Sequence, residues 1–101
     1  MKIIKELSEM IEEEIDGAKE YAKNAILYKE NYPTLANVLY TISNAELEHV
    51  NMLHDQVVTL INKYRAENGE PPESMKAVYD YLHEKHIDNV NEVKTYQGQF
   101  K

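Results

Sequence analysis

Cysteine and tryptophan are missing from this chain, and glycine and proline occur three times each in 101 residues. Without cysteine there are no disulfides, no zinc–thiolate sites and no thiol nucleophile, a pattern compatible with a reducing cytosol. So few glycines and prolines leave room for few turns, and the Glu, Lys, Ala, Leu and Met that fill the chain favour helix. A basic cluster is also lacking. Against 11 basic residues stand 18 acidic ones, for a formal net charge of -7. Such a surface repels phosphate backbones and anionic lipid, which argues against nucleic-acid and membrane-surface partners, and it attracts cations. No stretch approaches the ~20 apolar residues of a membrane span, and "MKIIKELSEMIEEE" holds no apolar run of signal-peptide length. The expectation is one all-α domain over residues 1–101, cytoplasmic.

What is present is helical periodicity, close to ~100° per residue, in three segments. Ile4, Leu7, Ile11, Ala18, Tyr21, Ala25 and Tyr28 share a face between about residues 2 and 31. "NYPT" interrupts them, since Pro33 disfavours a helical Tyr32 and suits the first turn of a new helix. Leu35, Leu39, Ile42, Leu53, Val57, Leu60 and Tyr64 align between about 34 and 66. "ENGEPPES" ends that helix, with Gly69 as its C-terminal cap and Pro71-Pro72 unable to continue it. Met75, Tyr79, Leu82, Val90 and Val93 align between about 72 and 97, before Gly98 frays the end. The first two helices, ~45 Å each at 1.5 Å per residue, are joined by so short a turn that they fold back as an antiparallel hairpin. Three helices leave apolar faces of the hairpin uncovered. A two-fold copy would complete a four-helix bundle with two helices from each chain.

Three polar residues occupy slots where that periodicity calls for Leu or Ile. Glu14 falls near the centre of the first stripe, between Ile11 and Ala18. Glu46 sits among Leu39, Ile42, Leu53 and Val57, and His49, three residues on, lies about 60° to its side, so that both address one interior point. Counted from the turn, the three fall within a few ångströms of one level. An uncompensated buried carboxylate costs several kcal/mol or takes up a proton. A cation of charge +2 or +3 removes that cost, and carboxylate with imidazole suits iron or manganese, less distinctively zinc. The bland alternative is a pair of buried ionised residues satisfied by Lys, Tyr or water. One hairpin supplies too few ligands for two metals. A two-fold copy brings the set to four carboxylates and two imidazoles, that of carboxylate-bridged di-iron bundles.

On "EEEIDGAKEYA" and "NAELEHVNML" the chain resembles the first two helices of the ferritin-like superfamily of ferritins and rubrerythrins. It is most similar to the half-ferritins known as encapsulated ferritins, which place one Glu and one Glu-x-x-His on each chain. The likeness covers roughly residues 5 to 60. It maps the family's first-helix Glu onto Glu14, an outer acidic position onto Asp16, a tyrosine onto Tyr21 and the Glu-x-x-His onto Glu46 and His49. It implies a homodimer or larger homo-oligomer and a di-iron site at the dimer interface. Glu46 would bridge the metals, Glu14 and His49 would be terminal ligands, and Fe(II) would be oxidised by dioxygen in a ferroxidase-like reaction. Two features depart from the family. The third helix is longer and carries histidines, and "TYQGQFK" lacks the apolar tail that targets cargo to a shell.

Two other functional classes fit the same residues. One is a helical structural or interaction module, of phage or spore-coat type, that carries the scaffold without catalysis. The other is a metal sensor or chaperone that binds without oxygen turnover. Beyond the three ligands, His86 lies centrally on the third helix's apolar face with His83 a turn earlier, as a core histidine or as an extra or supporting ligand. Asp80-x-x-His83 superficially repeats the Glu-x-x-His spacing of a metal ligand pair, but Asp80 points to the flank, and His54 lies at the edge of the second stripe, as a surface or interface residue. Tyr21 either packs or relays an electron to a di-iron centre. Glu6, Glu9, Glu13, Asp16 and Glu20 form a solvated acidic face that can also draw Fe(II) inward.

Overall fold

The computed structural model describes residues 2–101. They form three helices, α1 (Lys2–Tyr28), α2 (Pro33–Asn68) and α3 (Glu73–Phe100), and no strand occurs among the described residues. Helix α1 stops three residues short of the end its periodicity predicts. The chain turns at residues 29–32, where the Tyr32 N–H donates to the Tyr28 carbonyl at 2.8 Å. Pro33, whose fixed φ suits a first helical turn and whose missing N–H is no loss there, opens α2. Gly69 closes α2 with a positive φ of 80°, donating its N–H to the Arg65 carbonyl at 2.9 Å. The Pro72 carbonyl then accepts the N–H groups of Met75 and Lys76, each at 3.0 Å, and α3 begins.

Helix α3 continues through Gly98 to Phe100, beyond the fraying predicted from the glycine. Phe100 is the reason. It is buried against Ala25 and Ala36 and stacks on Tyr40 with ring centroids 4.8 Å apart, so the last turn is held by packing.

Helix α2 runs antiparallel to α1: Glu14 meets His49, and Ala18 meets Ser43. Helix α3 returns parallel to α1. Lys85 reaches Glu12 at 3.1 Å and Lys19 reaches Glu92 at 2.8 Å, both across the same 73-residue spacing. The result is a rod of 56 × 18 × 18 Å, whose length matches 36 residues of α2 at ~1.5 Å each.

The buried stripe of α1 is Ile4, Leu7, Ser8, Ile11, Ile15, Ala18, Ala22 and Ala25. Ile15 and Ala22, rather than Glu14 and Tyr21, hold its centre. With α3 seated on the Glu12 and Lys19 side of α1, the stripe rotates toward the groove between α2 and α3. Fully buried alanines at 18, 22, 25 and 36 let the helices approach closely. One polar chain links all three helices: Gln97 Nε2 donates to Ser43 Oγ at 2.9 Å, and Ser43 Oγ donates to the Ala18 carbonyl at 2.6 Å. No described helix is long and apolar enough to cross a membrane.

Candidate metal centre

The rotation of the α1 stripe puts Glu14 on its flank, on the side of the hairpin that faces away from α3. Glu14 and Glu46 are half-buried there and His49 is exposed, so the three are not enclosed within a single chain. They nevertheless converge. One ligand atom from each lies within 4.8 Å of the other two, and among the described residues no other group of three acidic or imidazole side chains does so. His49 Nδ1 stands 3.2 Å from Glu14 Oε2.

The antiparallel register brings them together, pairing the fourth turn of α1 with the middle of α2. On α2 the three-residue step from Glu46 to His49 covers most of one turn, so both side chains address Glu14 from successive levels. Gly17, a turn beyond Glu14, leaves space beneath the Glu46 carboxylate. A Cβ there would meet Glu46 Oε2 at 3.5 Å, an ordinary contact.

Two carboxyl groups so close cannot both ionise freely. The hydrogen bond between them raises the Glu46 carboxyl above the ordinary carboxylate range, reinforced by burial and by the Glu14 charge. The same hydrogen bond lowers Glu14, reinforced by its bond to His49 and the charge of that imidazole. The pair is thus split, with Glu46 pushed above and Glu14 held below the ordinary carboxylate value. Oxygen and nitrogen donors at this spacing, half in water, form a set that a hard or borderline divalent cation can enter.

Tyr21, two turns beyond Glu14, is half-buried and, among the described residues, makes no hydrogen bond to the three. Asp16 is exposed, as are Glu6, Glu9, Glu13 and Glu20. The structure brings together a pairing that sequence reasoning missed: His54 Nε2 lies 3.2 Å from His83 Nδ1 across α2 and α3. Each histidine sits at the edge of its own stripe, and only the register between the two helices, which periodicity does not carry, reveals that the edges meet. His86 is buried, as its central position predicts, yet its Nε2 has no hydrogen-bond partner, and the nearest ion-pair contact is Glu12 Oε1 at 3.7 Å.

Compared with family models, curated proteins and solved structures, the chain matches none.

Proposed function

We propose that this chain is a ferritin-like half-site: a hairpin that binds Fe(II) through Glu14, Glu46 and His49 and oxidises it with dioxygen once two copies pair. The observation that carries this reading is the convergence of two carboxylates and one imidazole from two helices on the one long face of the hairpin that α3 leaves open. Three donors per chain suffice for part of one metal's coordination. Two copies related by a two-fold axis supply six, the ligand set of a carboxylate-bridged pair of irons.

The surroundings support a second copy as what covers this face. Ile3 and Met10 on α1 and Leu35 and Val38 on α2 remain 42–51 % exposed. They lie on the same side of the hairpin as the ligands, by the ~100° step of each helix. Burying them against their own counterparts adds hydrophobic association to metal coordination, and it dries a site now half in water. Fe(II) is the substrate and dioxygen the electron acceptor; each iron gives up one electron. Manganese or zinc can occupy the same donors without that turnover. The chain's own part is to hold the Glu14 and Glu46 carboxyl groups side by side and to present the His49 imidazole.

Aerobic addition of Fe(II), followed by the near-ultraviolet absorbance of Fe(III), tests the reading. Wild type is expected to oxidise iron well above the uncatalysed rate, and Glu46→Ala and His49→Ala to fall by at least about tenfold. Equal rates in all three would end the proposal. A second reading, a helical structural module, has one observation in its favour: Glu14, Glu46 and His49 already satisfy one another by hydrogen bonds. It predicts no iron turnover and carboxylate variants as stable as wild type.

A further inference from the structure

The seam between α2 and α3 is incompletely filled. Two cavities, of about 290 and 240 Å³, open along it, and Ile11, His54, His83 and His86 line both. The two exposed edges of the seam meet through imidazole alone at this level: His54 Nε2 and His83 Nδ1 approach to 3.2 Å, with ring centroids 5.0 Å apart.

We propose that His54 and His83 form a second metal site, specific for a zinc-type divalent ion, that clamps α3 to the hairpin. The nitrogen separation is close to the edge of a tetrahedron whose centre lies ~2.0–2.1 Å from each imidazole, about 3.3 Å. A hydrogen bond between two imidazoles requires one ring to offer a lone pair. A divalent ion instead engages one lone pair on each ring, the proton of the donor ring moving to its other nitrogen. The third ligand is Asp80, one turn before His83 on α3 and lining the larger cavity with both histidines, brought in by rotation of its side chain. Water fills the remaining position.

His86 completes the site from inside. Its side chain is 9 % exposed and its Nε2 has no hydrogen-bond partner, on a residue that borders both cavities. It gives a metal-bound water a polar neighbour on the buried side of the cavity. The donor chemistry separates this site from the one on the open face of the hairpin. Two imidazoles with one carboxylate favour zinc or copper, whereas two carboxylates with one imidazole suit iron or manganese. Nothing in this argument depends on a second copy or on iron oxidation.

Calorimetric titration of Zn²⁺ into Glu46→Ala protein, which disables the open-face site, isolates the seam. One zinc per chain is expected, with a rise in Tm on the order of 10 °C when free zinc exceeds Kd a hundredfold. Adding His54→Ala or His83→Gln should weaken binding at least about tenfold and remove the rise in Tm, and Asp80→Asn should weaken it severalfold. Far-ultraviolet circular dichroism verifies that each variant is helical, and His83→Gln preserves side-chain bulk if the alanine change unfolds the chain. The proposal is overturned if Glu46→Ala binds no zinc below millimolar concentration, or if zinc binds equally well after both histidines are replaced.

Discussion

At the scale of single residues, the molecule places its titratable groups under two different pressures. Glu14 and Glu46 perturb each other directly, so that Glu14 is lowered and Glu46 raised from the ordinary carboxylate value. His86 is instead perturbed by burial, which lowers it below its ordinary value of 6.5 against the opposing pull of Glu12, with Lys85 and His83 adding to the depression. The sign for stability follows. As pH falls through 6.5 the unfolded chain takes up a proton that native His86 refuses, so the fold loses stability until the native imidazole also titrates. His86→Leu should therefore flatten the loss of stability between neutral pH and about pH 5. It should also make the protein about 1 kcal/mol more stable at pH 6, because it removes a buried ring nitrogen that lacks a partner. Urea unfolding of both proteins across that range measures it; a steeper profile in the variant would show that His86 is protonated in the native state. Residues were legible in the sequence to the extent that they broke a pattern. Glu46 and His49 interrupt an apolar row and carry a motif spacing, and they are found together. Glu14 was legible as a partner of Glu46 and His49 but misplaced within the stripe, because the stripe's direction depends on where a third helix docks.

At the scale of elements, capping and interruption chemistry was written plainly in the chain, and helix ends set by packing were not. Pro33 and Gly69 mark the boundaries that they make by their own dihedral preferences. The last turn of α3 is set by a distant contact, Phe100 on Tyr40, and local composition at Gly98 points the other way. The register of α3 is likewise non-local. It is fixed by the Lys85–Glu12 and Lys19–Glu92 pairs at the rim and by the Ser43 relay inside. Of these the relay matters most, because exposed ion pairs contribute little and buried donors without partners cost more. Ser43→Ala strips the Gln97 amide of its acceptor in a buried position. The expected loss is about 1–2 kcal/mol by chemical denaturation. Native-state hydrogen exchange should show α3 loosening before α1 and α2. Uniform loosening of all three helices would mean that α3 is held by other contacts.

At the scale of the whole molecule, three helices make a rod in which α3 leaves one side of the hairpin uncovered. Helix α3 covers the groove on one side of the hairpin, and the opposite side carries Glu14, Glu46 and His49 among exposed Ile3, Met10, Leu35 and Val38. The all-helical architecture and the hairpin were legible from periodicity and from the brevity of the turn. The side on which α3 docks was not, since stripe residues of all three helices are compatible with either side. That choice governs the account, because α3 on the other face would have covered Glu14, Glu46 and His49. Native mass spectrometry of protein loaded anaerobically with Fe(II) tests the central claim most directly. The account predicts a dimer carrying two irons, and a monomer that holds on to one iron, or a dimer that carries none, would contradict it.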